Sequence, residues 1–161
     1  MSIDRTLRQA EIFFGLTNQQ LDLIISICSV KHYNTGDVIF EENSASDELY
    51  VIESGEVDIQ IDPALVGESH DLGPTTIATL RRGQSFGEVA LVDRGLRSAS
   101  ARCAQHDTQL LVIPRDKLML LCDAHPRLGY CLMRNLAADL ATKMRSTDLR
   151  SREHQTWAHS K

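Results

Sequence analysis

Residues 86–101 read Phe-Gly-Glu-Val-Ala-Leu-Val-Asp-Arg-Gly-Leu-Arg-Ser-Ala-Ser-Ala, a run whose residue types suit the handling of a sugar phosphate. Gly87 lets a backbone turn sharply after a strand, and Glu88-Val89-Ala90-Leu91 is long enough for one helical turn whose first N–H groups have no internal partner. Unpaired amides at a helix start attract an anion. Nine positions past Glu88 stands Arg97, whose planar fork matches two oxygens of a phosphate, and the Ser98 hydroxyl adjoins it as a further donor. A carboxylate beside a phosphate would repel it, so Glu88 is expected to accept from a sugar hydroxyl. The competing reading is a surface salt bridge between Glu88 and Arg97, worth about 0–1 kcal/mol.

Such a segment has to be held by a rigid frame, and the pattern on either side of it describes one. Thr17-Asn18-Gln19-Gln20 has the form of a capping box, and the helix it opens carries Leu21, Leu23, Ile24, Ile25 and Ile27 and should end near Ser29. Phe13-Phe14-Gly15-Leu16 supplies apolar anchors for a short helical piece before it. From Lys31 the period changes to two: Val57, Ile59 and Ile61 alternate with Glu56, Asp58 and Gln60, as in a half-buried strand. Leu49-Tyr50-Val51-Ile52 is apolar on both faces, and Glu53-Ser54-Gly55 predicts a tight hairpin between these two strands. Turn signals recur at Gly36-Asp37, Asn43-Ser44 and Gly83-Gln84, dividing residues 31–114 into short strands of a closed or folded-over antiparallel structure. Residues 62–75, with Pro63, Gly67, Gly73 and Pro74, predict a long, mobile hairpin loop.

Helical periodicity returns past Pro114 with Leu118, Leu120 and Leu121, and Pro126 is placed to start a second, longer helix. Leu128, Leu132, Leu136, Leu140 and Met144 recur every four positions along it, with Cys131, Met133, Ala137 and Ala141 beside them. A four-residue step drifts by about 40° on a helix of 3.6 residues per turn, so the stripe wraps around the helix and predicts two partners. One is the β body. The other is either the same helix of a second subunit, giving a homodimer, or nothing beyond the helix's own domain.

The chain has 161 residues and a formal charge of −5, with a hydrophobic fraction of 42% and a charged fraction of 24%, the composition of one folded domain plus a helix or tail. No apolar run approaches the ~18 residues of a membrane span, and a cytoplasmic location is expected. Cys28, Cys103, Cys122 and Cys131 fit neither a zinc pattern nor a disulfide framework and are expected as buried small hydrophobes. The charge is uneven: residues 1–126 carry 10 Lys+Arg against 19 Asp+Glu, and residues 127–161 carry 7 against 3. A basic end raises nucleic acid as a partner, but no recognition motif accompanies it, and a solvated helix face with a frayed tail accounts for it. His32, His70, His106, His125, His154 and His159 are scattered, no Ser/His/Asp set has recognisable spacing, and no catalytic residue is expected.

Phe86-Gly87-Glu88-Val89-Ala90-Leu91, then five residues, then Arg97-Ser98-Ala99-Ser100, resembles the phosphate-binding cassette of the cyclic-nucleotide-binding family, which includes bacterial catabolite activator proteins and the regulatory subunits of cyclic-AMP-dependent kinase. Gly36-Asp37-Val38-Ile39-Phe40, Asp47-Glu48-Leu49-Tyr50-Val51-Ile52 and Gly55-Glu56-Val57 are similar to its early strands, and the resemblance covers roughly residues 13–145. Where the family usually has a glycine, this chain has Asn43, which tolerates the left-handed region. The resemblance implies a mainly β fold: an eight-stranded antiparallel β-roll of jelly-roll type with N-terminal helices, a short cassette helix and a long C-terminal helix.

It also implies that Glu88 binds a ribose 2′-hydroxyl and that Arg97 neutralises a cyclic phosphate. Backbone amides near Val89, Ala90 and Ser98 would complete the cradle, so the implied ligand set is Gly87, Glu88, Val89, Ala90, Arg97, Ser98 and Ala99. Thr142, Lys143 and Ser146 fall where the family brings its last helix near the base. The expected ligand is cyclic AMP, with cyclic GMP the alternative, since Ser98 suits either purine; no cofactor or metal is expected. Residues 1–145 would form the binding domain and residues 146–161 a polar tail. That tail is too short for the helix-turn-helix of the bacterial activators, so direct DNA binding is not expected. The chain is therefore expected to be a sensor that signals by repositioning its C-terminal helix. The alternatives are an interaction domain that has lost its ligand, and the sensor part of a transcription regulator whose DNA reader lies elsewhere.

Overall fold

The computed structural model describes residues 3–45, 47–62 and 73–159, of which 147–159 as backbone alone. Helix α1 (Ile3–Gln9) and a 3-10 turn (Glu11–Phe13) lead to α2 (Asn18–Ile27). The capping box opens α2 as its sequence requires: the Gln20 amide donates to Thr17 Oγ1 (3.2 Å) and the Thr17 amide donates to Gln20 Oε1 (2.9 Å). The helix ends two residues before Ser29, because Cys28 is already extended and Ser29 opens the first strand against Val112.

Eight antiparallel strands follow: β1 (Ser29–Tyr33), β2 (Val38–Phe40), β3 (Glu48–Ser54), β4 (Glu56–Ile61), β5 (Thr75–Arg81), β6 (Ser85–Phe86), β7 (Ser100–Cys103) and β8 (Thr108–Pro114). They form two four-stranded sheets, ordered β1-β8-β3-β6 and β2-β7-β4-β5. This is the β-roll that the family resemblance implies, and the folded-over antiparallel structure that the spacing of turn signals predicts. One expectation is corrected: β3 and β4 do not pair as a hairpin. β3 is flanked by β8 and β6, and the turn at Gly55 (φ +91°) carries the chain from one sheet to the other. The long connection between β4 and β5 lies, from 63 to 72, outside the described residues.

The two-faced strands explain the two apolar clusters. Leu49 and Val51 of β3, with Leu111 and Ile113 of β8, face the helices and pack with Phe13, Ile24 and Leu118. Their neighbours Tyr50, Ile52, Leu110 and Val112 face the opposite sheet and meet Val57, Phe86 and Ala101. In β4 the alternation is softer than its sequence pattern, since only Val57 is fully buried while Ile59 and Ile61 are half-buried. Its acids have cross-strand partners on β5: Arg81 Nε bonds Glu56 (3.0 Å) and the Thr79 hydroxyl donates to Asp58 (2.6 Å). The four cysteines are free thiols; Cys103 is buried, the other three half-buried, and burial pushes the Cys28 thiol up to about 12.

Helix α3 (Arg115–Ala124) and helix α4 (Pro126–His159) close the chain. Along α4, Leu128, Leu132 and Leu136 are buried, Leu140 is half-buried and Met144 is exposed, so the four-residue stripe rotates off the core as its period requires. The helix does not stop where the stripe does: past Ser146, where a frayed tail was expected, the backbone stays helical to His159. No glycine or proline follows Gly129, so nothing in that stretch interrupts the hydrogen-bond ladder. Among the described residues no helix is long and apolar enough to cross a membrane.

A Cβ added at Gly55 would sit 2.1 Å from Thr108 Oγ1 and 2.8 Å from its Cα, in a left-handed conformation. Gly55→Ala is expected to cost about 1–3 kcal/mol of stability, read from the urea midpoint. An unchanged midpoint would show that the corner between the sheets has room to give.

Candidate functional site

After β6 the chain turns at Gly87 (φ +77°) into a 3-10 turn, Glu88–Leu91. The glycine is required twice over. Its φ disfavours a side chain, and a Cβ there would lie 2.7 Å from Arg97 Nη1 and 3.0 Å from the Glu48 carbonyl oxygen. The turn opens with the Ala90 amide donating to the Gly87 carbonyl (3.1 Å), which leaves the Glu88 and Val89 amides before it unbonded. Ala90 is fully buried, and its amide is thereby engaged within the turn, where a free donor was expected.

Arg97 is fixed through its own backbone: its amide donates to the Ser44 carbonyl and its carbonyl accepts from the Asn43 amide, both at 2.8 Å. Asn43 takes the left-handed conformation (φ 64°), which asparagine tolerates. Arg97 as a whole is 6% exposed. Nη2 donates to the Glu48 carbonyl (2.9 Å) and Nη1 to the Gly87 carbonyl (3.4 Å), and Cζ lies 4.1 Å above the centre of the Phe40 ring. Nε is buried and has no partner, and no carboxylate forms an ion pair with this guanidinium among the described residues. Burial lowers its pKa from the usual arginine value, against the opposing pull of Tyr50, Asp47, Glu48 and Glu88.

Glu88 is 5% exposed, and its ion-pair partner is Lys143 of α4, which also pairs with Asp139 (2.9 Å). The surface salt bridge between Glu88 and Arg97 is therefore not formed: both groups are buried, and each is held by something else. Of the three α4 residues expected near a base, Lys143 sits at Glu88 and Thr142 lines the cavity while donating to the Ala138 carbonyl (3.0 Å). Ser146 donates to the Thr142 carbonyl (3.1 Å) and is not on the cavity wall.

The cavity between these elements measures about 790 Å³, within the range of small-ligand sites. Gly87, Glu88, Val89, Arg97, Ser98 and Ala99 line it, six of the seven residues of the implied set; the buried Ala90 does not. The β sheet contributes Phe40, Ile59 and Leu80, and α4 contributes Asn135, Asp139 and Lys143. Two participants gave no sequence signal of their own: Phe40, which stacks on Arg97, and Asp139, which shares Lys143 with Glu88.

Over residues 30–125 the chain matches the cyclic nucleotide-binding domain family. The chain belongs to this family. It is 34% identical over 143 residues, 89% of its length, to the cyclic AMP receptor protein of Thermus thermophilus, of which it covers 61%. It is 32% identical over 110 residues, 68% of its length, to human cGMP-dependent protein kinase 2, of which it covers 14%. The crystal structure of the Thermus thermophilus catabolite activator protein superposes with a TM-score of 0.73 over 88% of this chain and 61% of its own. This cyclic nucleotide-binding domain thus spans about three-fifths of its bacterial relative and a small part of the kinase.

Burial pulls the Lys143 ammonium down, but its hydrogen bonds and charge contacts with Glu88 and Asp139 outweigh this, so its pKa is raised above 10.5. A raised lysine stabilises the fold fully below its unfolded pKa, and that contribution is lost as pH climbs through the folded one. The stability gap between wild type and Lys143→Met is therefore expected to stay level up to about pH 10 and to narrow above it. Urea midpoints across that range check this; a gap that holds to pH 12 would mean that Lys143 is not paired in solution.

Proposed function

We propose that the chain is a sensor module for a cyclic nucleotide, acting by binding and without catalysis. The observation that carries this reading is the Arg97 guanidinium: a buried cation on a cavity wall, held by two carbonyl oxygens and an aromatic face, with no acidic ion-pair partner among the described residues. Leaving a charge out of water without an opposite charge costs several kcal/mol, and a phosphate in the cavity would supply that charge together with two acceptors for the fork. The unbonded start of the 3-10 turn and the Ser98 hydroxyl offer further donors to the same anion. Glu88, an acceptor-only group, takes the ribose 2′-hydroxyl.

Two relatives bear names with different purines, cyclic AMP in the bacterial protein and cGMP in the kinase. We take cyclic AMP as the first ligand to test, because the relative named for it matches over more of the chain. Signal output would run through α4, whose Lys143 holds the carboxylate that the ribose needs. A hydroxyl arriving at Glu88 must share or displace that ammonium, so ligand and helix position become linked. A second copy packed on the outward face of α4, where Tyr130 and Met144 are exposed, fits the same arrangement.

Isothermal titration with cyclic AMP and cyclic GMP tests the proposal. Binding of at least one is expected, and Arg97→Ala should weaken it about tenfold to a hundredfold, the equivalent of a charge-assisted pair of about 1.5–3 kcal/mol. No heat and no thermal shift with either nucleotide at millimolar concentration would leave an interaction domain without this ligand. Unchanged affinity in Arg97→Ala would remove the phosphate from its assigned place.

A further inference from the structure

We infer that Phe40 is the positioning residue of the anion site: its ring holds the Arg97 guanidinium on the cavity wall without cancelling its charge. This rests on the reading of Arg97 as the partner of the phosphate.

An arginine side chain is long and flexible, and a fork that has to meet an anion in one geometry gains from being fixed beforehand. A carboxylate would fix it, but would also neutralise it. A ring face attracts the cation through its quadrupole and leaves the full positive charge for a ligand. Phe40 is placed to do this. Cζ of Arg97 lies 4.1 Å above its ring centre, against 5.9 Å for Tyr50, and Phe40 itself lines the cavity. The two bonded N–H groups of the fork point to the Glu48 and Gly87 carbonyls, so the ring covers a direction that no hydrogen bond controls.

The ring is itself held. Phe40 ends β2, whose register against β7 shifts between Val38 and Phe40, an irregularity of the kind that re-aims a side chain. From there it reaches the facing sheet, 5.7 Å from the Tyr50 ring and 5.9 Å from the Phe86 ring. Those two are buried and stacked at 5.0 Å with an interplanar angle of 9°. Tyr50 is tied down further by its hydroxyl, which donates to Glu48 (2.6 Å), the residue whose carbonyl takes Arg97 Nη2. Phe40 thus joins both sheets to the guanidinium.

A double-mutant cycle separates positioning from packing, because a ring that acts through Arg97 has no effect once Arg97 is gone. The full chain is titrated with cyclic AMP and cyclic GMP as wild type, Phe40→Leu, Phe40→Tyr, Arg97→Ala and the Phe40→Leu/Arg97→Ala pair, with urea unfolding of each. Phe40→Leu is expected to bind about three- to thirtyfold more weakly. Phe40→Tyr, which keeps the ring, should stay within about twofold of wild type, and Phe40→Leu should add no weakening in the Arg97→Ala background. Equal weakening by Phe40→Leu with and without Arg97, or none in either, overturns the inference. Should Phe40→Leu fail to fold, Phe40→Met carries the same cycle. A wild type that binds neither nucleotide, or an Arg97→Ala that binds as wild type does, overturns the phosphate assignment itself. A weakened Arg97→Ala beside an unaffected Phe40→Leu overturns the role of Phe40 alone.

Discussion

A guanidinium removed from water loses a hydration shell that the protein has to replace, and what replaces it determines what the charge can do next. At Arg97 the replacements are two backbone carbonyls and a ring, which stabilise a cation without cancelling it. Much of the surrounding backbone follows from that choice. The carbonyls have to arrive from separate elements, the start of β3 and the turn before Glu88, and the turn has to come so close that a side chain on Gly87 would strike the fork. The residue at 97 has to be clamped on its main chain as well, which the paired hydrogen bonds to Asn43 and Ser44 provide. The left-handed Asn43 is part of this clamp, so the turn after β2 serves the site as much as the fold.

Helix α4 is attached in two different ways along its length. Its first half buries Leu128, Leu132 and Leu136, each worth about 1.5–3 kcal/mol, and the Asn135 amide donates to the carbonyls of Ile12 (3.0 Å) and Phe14 (2.8 Å). Further along, apolar contact fades to the half-buried Leu140, and the polar attachment is Lys143, whose side chain is 55% exposed. An ion pair with one partner so far in water belongs near the weak end of the salt-bridge range, about 0–1 kcal/mol. Among the residues with described side chains, the helix is therefore firmest against the N-terminal segment and more loosely attached at the cavity.

The sequence made legible what its own neighbours decide. The capping box at Thr17 has its partner three residues away, Pro126 starts a helix by virtue of its own ring, and Gly87 and Arg97 fall in one short segment. Misread features were those decided elsewhere in the chain. Glu53-Ser54-Gly55 specifies a reversal but not whether the chain stays in its sheet; β3 is apolar on both faces, and β8 and β6 take its two edges. The polar composition past Ser146 suggested fraying, whereas the lack of glycine and proline there carried more weight. Lys143 was placed near the site by resemblance, but Glu88, one of its two carboxylate partners, lies 55 residues upstream, and Phe40 meets Arg97 only because the two sheets face each other. Pairings across such distances leave no periodic trace.

These pairings together set the charge of the cavity. Lys143 is shared between Glu88 and Asp139, so that triad keeps one net negative charge, while Arg97 has no carboxylate in ion-pair contact among the described residues; the preference for an anion is thus local to Arg97 in a chain that carries −5. Glu88 acts on Arg97 as well, as the weakest of the four groups that raise its pKa, so withdrawing Lys143 would leave more of the Glu88 charge to subtract from that of Arg97. Under the proposed function, anion affinity and the position of α4 would be two readings of one coupling, and linkage would make it reciprocal: a helix position that favours the anion would be favoured by the anion to the same extent. A sugar hydroxyl at Glu88 would, under the same proposed function, act in the opposite sense by competing with the ammonium. The response of the helix to a nucleotide would then be the difference between these two effects, with a ligand's sugar and its phosphate both counting.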